Sequence, residues 1–260
     1  MKSVKKTSWL SYYKPNPSAE LRLFCFPYAG GSAIIYRSWA DLLPKNLEIC
    51  PVQLPGRGTR LRDQPFTRLM PMIEALASGL LPYFDRPFAF FGHSMGAAIA
   101  FELARHLRKH FQREPEHLFV SGRSAPQIPD PMPCTYDLPD AEFIAELRRL
   151  NGTPQEVFDH PELLQLTLPL LRADFAMVQT YRPSPGEPLR SPITAFGGLL
   201  DHDVRREYLE AWSKQTADRF SLRMFPGDHF FLQTSQILLL KAVAQELDHT
   251  VAAGSQSQSA

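Results

Sequence analysis

One serine stands in a pattern that can make it a nucleophile. Residues 92–96 read GHSMG, which matches G-x-S-x-G, with the apolar run 88–91 before it and a helix-period segment, 97–109, after it. A tight strand-to-helix turn needs small neighbours and projects the serine hydroxyl at a helix N-terminus, where negative charge is favoured. We therefore predict that Ser94 is a nucleophile. The alternative, a chance match in an ordinary turn, is disfavoured by the strand and helix around it.

A histidine late in the chain is the candidate base. Where a serine sits on such a turn, the chain order is serine, carboxylate, then histidine. His229 lies in residues 225–232, FPGDHFFL, after the predicted strand 220–225 and before the predicted helix 237–247. His249 lies too close to the C-terminus for this role. We predict His229 as the base rather than a solvated loop histidine.

The acid should follow the predicted strand 193–196. The next residues, GGLLDHD, offer Asp201 and Asp203, of which Asp201 is the first choice and Asp203 the second. The carboxylate would accept a hydrogen bond from His229, fix its tautomer and stabilise the imidazolium. A metal site at this segment is disfavoured, because adjacent loop residues rarely point at one ion and no other ligands are spaced for it.

A glycine-rich turn after the first strand can supply an oxyanion hole. Residues 26–32 read FPYAGGS, and the N–H of Tyr28 or Ala29 would act together with the N–H of Met95. A nucleotide-binding loop is the alternative. It is disfavoured because the chain has neither G-x-G-x-x-G nor a P-loop Gly-Lys-Ser/Thr. We therefore expect no cofactor and no metal.

Six short apolar runs must position these residues. They lie at 21–26, 47–52, 88–91, 117–121, 193–196 and 220–225, with helical patterns between them, which is typical of a mostly parallel sheet flanked by helices. Residues 127–190 interrupt this alternation. Helical patterns occur there at 140–150 and 161–181, and 12 of the 24 prolines lie in 126–192. We predict one α/β domain, 1–260, with a helical lid inserted at 127–190.

The lid sequence contains apolar residues at helical spacing. They are equally consistent with lining an acyl chamber and with packing of the lid on the sheet. The candidates are Leu163, Leu164, Leu168, Leu171, Phe175 and Val178.

Composition excludes several classes of protein. The 28 basic and 27 acidic residues give a net charge of +1, so nothing favours nucleic acid as a partner. No apolar run reaches the roughly 18 residues of a membrane span, and no signal-peptide pattern follows residues 1–6, MKSVKK. We expect a cytoplasmic protein without a membrane partner.

Several motifs in the same order resemble one known family. They are FPYAGGS (26–32), LPGRG (54–58), FGHSMG (91–96), LRADF (171–175), YLEAW (208–212) and GDHFFL (227–232). The chain resembles the type II thioesterases, stand-alone editing enzymes of polyketide and nonribosomal peptide synthesis with the α/β-hydrolase fold. The resemblance covers about residues 21–247.

The resemblance implies a substrate, a partner and a catalytic triad. The substrate would be an acyl group on the phosphopantetheine arm of an acyl or peptidyl carrier protein, and the triad would be Ser94, Asp201 and His229. Leu199 and Leu200 stand where acidic or polar residues are frequent in the family. Because carrier proteins are usually acidic, we expect basic residues near the mouth of the site to face the carrier. These are Arg57, Arg60, Arg62 and Arg123.

Two other functions stay open at this point. A generic carboxylesterase or an acyltransferase would use the same acyl-enzyme, and only the family motifs separate them from a thioesterase. A binding module with an inactive site is a further alternative. Complete candidates for the triad argue against it.

Overall fold

The chain is built around one six-stranded sheet. The computed structural model describes residues 9–129 and 133–257. Within these residues all strands pair in parallel, in the order β2-β1-β3-β4-β5-β6. This confirms the predicted α/β-hydrolase class of fold and the six predicted strands. The strands are β1 (Leu21–Phe26), β2 (Leu47–Pro51), β3 (Phe88–His93), β4 (His117–Ser121), β5 (Ile193–Gly198) and β6 (Phe220–Phe225).

Nine α-helices accompany the sheet in the part of the chain that the structure describes. Short 3-10 turns occur at Ala33–Tyr36, Gly58–Arg60, Leu81–Tyr83 and Ala211–Gln215. The last helix continues well past the predicted end at residue 247. The helices are α1 (Trp39–Leu42), α2 (Leu69–Leu80), α3 (Met95–Phe111), α4 (Asp140–Leu150), α5 (Gln155–Asp159), α6 (Pro161–Gln179), α7 (Arg206–Glu210), α8 (Phe231–Thr234) and α9 (Gln236–Ser257).

The sheet is covered on both faces. Alternate strand residues divide between two apolar clusters, as side chains on a pleated strand must. Phe24 and Phe90 belong to the cluster that includes α2 and α3, whereas Leu23 and Phe91 belong to the cluster with α1, α8 and α9. Burial on both faces explains why these strands are apolar at nearly every position.

The strand order reverses between β1 and β3, and this places the site. Because the strands are parallel, the segments after β1, β3, β4, β5 and β6 all leave the sheet at one edge. Ligands in open α/β sheets bind at this carboxyl edge, beside the point where the strand order reverses. Candidate residues separated by up to about 200 positions in sequence are thereby brought to one place.

Three helices, α4 to α6, lie between β4 and β5. The two strands are neighbours in the sheet, so the connecting segment passes outside it. Pro161 occupies the first turn of α6, where a proline is tolerated, and Pro169 lies in its interior. Residues 130–132 of the predicted lid lie outside the described residues. None of the helices that the structure describes is both long enough and apolar enough to span a membrane.

Candidate active site

Ser94 occupies the turn between β3 and α3. Its φ of 52° and ψ of −113° lie in a region that residues other than glycine rarely adopt. The flanking glycines are required by close backbone contact: a Cβ on Gly92 would lie 2.1 Å from the Gly96 oxygen, and one on Gly96 would lie 2.1 Å from the Phe26 oxygen. The Ser94 N–H donates to the carbonyl of Ser121 at 2.7 Å, which ties the turn to β4.

His229 and Asp201 form a hydrogen-bonded pair at the same edge. Nδ1 of His229 lies 2.7 Å from Oδ2 of Asp201, whose side chain is 1% exposed. With Nδ1 held by the carboxylate, Nε2 is the nitrogen free to act as a base. His229 and Ser94 line the same cavity. In a Ser-His-Asp triad, a carboxylate in this position fixes the tautomer of the histidine.

The second acid candidate, Asp203, has different partners. It lies 3.1 Å from Nη1 of Arg149 and is partly exposed. The other oxygen of Asp201, Oδ1, accepts the N–H groups of Asp203 and Val204 at 3.0 and 3.1 Å. Burial raises the pKa of Asp201, but its hydrogen bonds to His229 and to these two N–H groups outweigh burial and hold that pKa below its usual value. The carboxylate therefore stays ionised.

The turn after β1 presents backbone N–H groups beside Ser94. The N–H of Gly31 donates to the carbonyl of Tyr28 at 2.9 Å, and the N–H of Gly30 donates to Asp174 at 2.8 Å. The candidate oxyanion donors in this turn are therefore the N–H groups of Tyr28 and Ala29. Both residues line the cavity, as does Met95 at the start of α3.

A cavity of about 520 Å³ opens above Ser94. This volume lies within the usual range for small-molecule sites. Of the predicted chamber residues, Leu171, Phe175 and Val178 line it. The sequence did not point to the other walls of the cavity. These include Ala98, Phe101, Ile128, Leu147, Leu150, Tyr181 and Trp212.

The other predicted chamber residues lie elsewhere. Leu168 belongs to a small cluster with Phe143 and Leu147 of α4, and Leu164 packs against that cluster. The side chain of Leu163 is 38% exposed. Within the described residues these three leucines are not among those that line the cavity: Leu164 and Leu168 pack toward α4, and Leu163 faces outward.

The four basic residues expected to face a carrier protein lie in different environments. Arg57 is buried and paired with Asp174, so the expectation was wrong for this residue. Arg60 lies over the ring of Trp9 at 4.1 Å and bonds to Asp63. Arg62 is exposed and Arg123 lines the cavity.

Beneath His229 lies a second, buried histidine that the sequence argument did not single out. His93 is fully buried, its Nδ1 lies 2.8 Å from the Ser121 hydroxyl, and its ring centroid lies 5.2 Å from that of His229. Burial lowers the pKa of His93 far below its usual value, so it packs here as a neutral ring. A Cβ on Gly122 would lie 2.8 Å from this ring. In the described part of the chain, no group of three or more His, Cys, Asp or Glu side chains could hold a metal ion.

The chain has a parallel sheet, a strained serine after β3, and a hydrogen-bonded carboxylate–histidine pair after β5 and β6. These features define it as an α/β-hydrolase. The model of the thioesterase domain family matches residues 21–250. The chain belongs to that family, and it is a thioesterase.

Relatives with known names agree on a biosynthetic context. The chain is 49% identical over 247 residues to the linear gramicidin dehydrogenase LgrE of Brevibacillus parabrevis, covering 94% of each chain. It is 47% identical over 239 residues to the gramicidin S biosynthesis protein GrsT of Aneurinibacillus migulanus, covering 92% of this chain and 93% of the relative. The sequence of this chain has no G-x-G-x-x-G pattern of the dinucleotide-binding kind.

A solved structure supports the same assignment. The type II thioesterase BorB from the borrelidin biosynthetic cluster superposes with a TM-score of 0.84 and 38% identity, covering 92% of this chain and 97% of BorB. At this identity and coverage the likeness extends over nearly the whole chain and includes the segment between β4 and β5.

Proposed function

We propose that this thioesterase is an editing enzyme of polyketide or nonribosomal peptide synthesis. It hydrolyses aberrant or stalled acyl groups from the phosphopantetheine arm of acyl or peptidyl carrier proteins. The observation that carries this proposal is the His229–Asp201 hydrogen bond of 2.7 Å, with His229 and Ser94 both lining one largely apolar cavity. The gramicidin and borrelidin contexts of its relatives support the choice of pathway class.

The reaction proceeds through an acyl-enzyme on Ser94. Nε2 of His229 takes the proton of the Ser94 hydroxyl as its oxygen attacks the thioester carbonyl. The N–H groups of Met95 and of Tyr28 or Ala29 hold the oxyanion. When the tetrahedral intermediate collapses, the carbon–sulfur bond breaks and His229 gives its proton to the departing thiol.

Water completes the cycle. His229 removes a proton from a water molecule that attacks the acyl-Ser94 ester, and a second tetrahedral intermediate forms in the same oxyanion hole. Its collapse returns the proton from His229 to the Ser94 oxygen and releases the acid. Asp201 stays ionised throughout and stabilises the imidazolium in both steps. The steps require only these side chains, backbone N–H groups and water.

The segment between β4 and β5 is proposed as the lid of the acyl chamber. Its helix α6 contributes Leu171, Phe175 and Val178 to the cavity, and α4 contributes Leu147 and Leu150. The apolar walls favour binding of an acyl chain in the cavity, and they disfavour bulk water next to the thioester. The exposed Arg62 and the cavity residue Arg123 remain candidates to attract an acidic carrier protein. The proposal places both the carrier protein and the enzyme in the cytoplasm.

The test compares three substrates that carry one acyl group. These are an acyl carrier protein thioester, a thioester of a short thiol and the corresponding ethyl ester. We expect kcat/KM to be highest for the carrier thioester and lowest for the oxygen ester. The advantage of the carrier should shrink as salt rises, because exposed charges are screened over about 8–10 Å near physiological ionic strength.

Each contrary result points to a definite alternative. Equal kcat/KM for the carrier and the short thiol at every salt concentration would reject carrier recognition. Preference for the ethyl ester would favour a carboxylesterase, and transfer to an added alcohol or amine faster than hydrolysis would favour an acyltransferase.

A further inference from the structure

A buried ion pair joins the helix over the cavity to the turn beside Ser94. Nη1 and Nη2 of Arg57 each lie 2.7 Å from an oxygen of Asp174 in α6. The two side chains are 5% and 1% exposed. Oδ2 of Asp174 also accepts the N–H of Gly30 at 2.8 Å, and Nη1 of Arg57 donates to the carbonyl of Gly31 at 3.2 Å. The pair therefore holds both sides of this turn.

Glycines let α6 lie directly against two loops. Gly30 has a φ of +75°, and a Cβ there would lie 2.7 Å from Cδ2 of Leu171. Gly56 has a φ of +81°, and a Cβ there would lie 3.1 Å from Cδ1 of Leu170. The turn after β1 and the loop after β2 are thus fitted against the same turn of the helix.

Stability alone is a weak reason for a charge pair in this position. Removing two charges from water costs several kcal/mol per ion, and apolar replacements of a buried pair are often neutral or stabilising. What an apolar pair would lack is an acceptor for the N–H of Gly30, the residue that follows Ala29 in the chain. The acceptor fixes the peptide plane next to the candidate oxyanion donors.

We propose that Asp174, held in place by Arg57, is a positioning residue that sets the turn 28–31 and thereby aims the oxyanion donors of Tyr28 and Ala29. This inference rests on the proposed oxyanion hole. It explains why a carboxylate stands on the cavity helix, one turn after Leu171 and beside Phe175. A turn displaced by about 1 Å would cost on the order of 10²-fold in rate, comparable with losing one oxyanion donor.

The test separates the acceptor from the charge pair. The double variant Arg57→Leu/Asp174→Leu removes both charges and the acceptor. The double variant Arg57→Leu/Asp174→Asn removes the same charges but keeps an amide oxygen for the N–H of Gly30. We measure kcat on a short-thiol thioester per active site, counted by the final extent of fluorophosphonate labelling, together with Tm and KM.

We expect the leucine variant to lose on the order of 10²-fold in kcat per active site, with KM little changed. The asparagine variant should turn over at least about tenfold faster than the leucine variant. The pH dependence of kcat/KM should keep the midpoint that the wild type shows, because the variants leave His229 untouched. Equal kcat in the two variants, whether both fall or neither does, would overturn the proposal.

A control removes a buried ion pair at the other end of the sheet. Arg22 and Glu48 pair at the start of β1 and β2, away from the carboxyl edge. Arg22→Leu/Glu48→Leu should leave kcat per active site unchanged whatever it does to Tm. If Arg57→Leu/Asp174→Leu fails to fold, Gly30→Ala perturbs the same turn, because its φ of +75° strains a residue with a Cβ; wild-type kcat in that variant would overturn the proposal.

Failure of this inference is distinguishable from failure of the proposed function. A wild-type protein that does not hydrolyse thioesters rejects the function itself. A wild-type enzyme that depends on Ser94, with turn variants that match it, rejects only the role of Asp174.

Discussion

Asp201→Asn is the substitution whose effect the structure defines most fully. Oδ1 of Asp201 accepts two backbone N–H groups, from Asp203 and Val204, whereas Oδ2 accepts Nδ1 of His229. An asparagine has one oxygen that can accept and one nitrogen that only donates. The two N–H groups hold the oxygen, so the amide nitrogen must turn toward His229.

That orientation reverses the hydrogen bond to the base. An amide N–H donating to Nδ1 of His229 forces the ring proton onto Nε2, and Nε2 can then no longer accept the proton of Ser94. Loss of the correct tautomer in this kind of triad lowers kcat by about 10⁴-fold. This corresponds to about 5.4 kcal/mol, at about 1.36 kcal/mol for each factor of ten. KM should change little, because Asp201 is buried behind His229.

The matched control is Asp203→Asn. Its carboxylate pairs with Arg149 at 3.1 Å and is partly exposed, so its loss should change kcat by less than about tenfold. The assay is steady-state hydrolysis of a short-thiol acyl thioester, with Tm measured to show that both variants are folded. A larger loss in Asp203→Asn would assign the acid to that residue. A loss of less than about tenfold in Asp201→Asn would refute the tautomer argument.

Three further substitutions test other parts of the site and fold. Ser94→Ala should lower turnover by about 10³-fold or more with Tm nearly unchanged, because the smaller side chain keeps the turn; near wild-type turnover would reject the nucleophile. Val178→Phe should lower kcat/KM for a decanoyl thioester at least about tenfold more than for an acetyl thioester, because it fills the cavity. The control is Leu166→Phe, on the same helix and 77% exposed, which should show no such preference. His117 is the third: burial lowers its folded pKa to about 3, below the value of about 6.5 expected when unfolded. Between these values only the unfolded state binds the proton, so the free energy of unfolding should fall as pH drops. His117→Gln should reduce the slope of the unfolding free energy against pH by about 1.4 kcal/mol per pH unit, measured in denaturant titrations at pH 4.5 to 5.5. An unchanged slope would contradict the assignment of a neutral buried ring.

The catalytic candidates were predictable because their signals are local. Residues 92–96 carry the turn pattern between a strand and a helix, and the chain order of the fold then restricts where the acid and base lie. The strands were predictable for the same reason, since burial on both faces makes each of them an apolar run. The structure brings Asp201 to His229 and leaves Asp203 with Arg149, a choice that sequence left open.

The chamber was harder to predict because one stripe of α6 serves two purposes. Leu164, Leu168, Leu171, Phe175 and Val178 repeat at helical spacing. All of these except Val178 pack in or against the cluster of Phe143 and Leu147 of α4, and Leu171, Phe175 and Val178 also line the cavity. Periodicity identifies the buried face of a helix but not what covers each part of it, which depends on contacts distant in sequence.

Two other features of the structure were not predicted from the sequence. Arg57 was expected to face a carrier protein, but it is buried against Asp174, a partner 117 positions away in sequence. Helix α2, Leu69–Leu80, was not predicted, and it contains Pro71. The proline lies in the first turn of the helix, where a backbone N–H has no partner within the helix in any case.

In the proposed mechanism, helix α6 connects acyl binding to the chemistry at Ser94. The same helix presents Leu171 and Val178 to the cavity and Asp174 to the turn that carries the proposed oxyanion donors. An acyl chain that packs against α6 therefore contacts the element that aligns those donors. Binding energy gained far from the reacting carbon accelerates a reaction only when it is realised in the transition state. With the proposed role of Asp174, such energy would reach the oxyanion donors through α6, so we expect differences among acyl groups to appear in kcat as well as in KM.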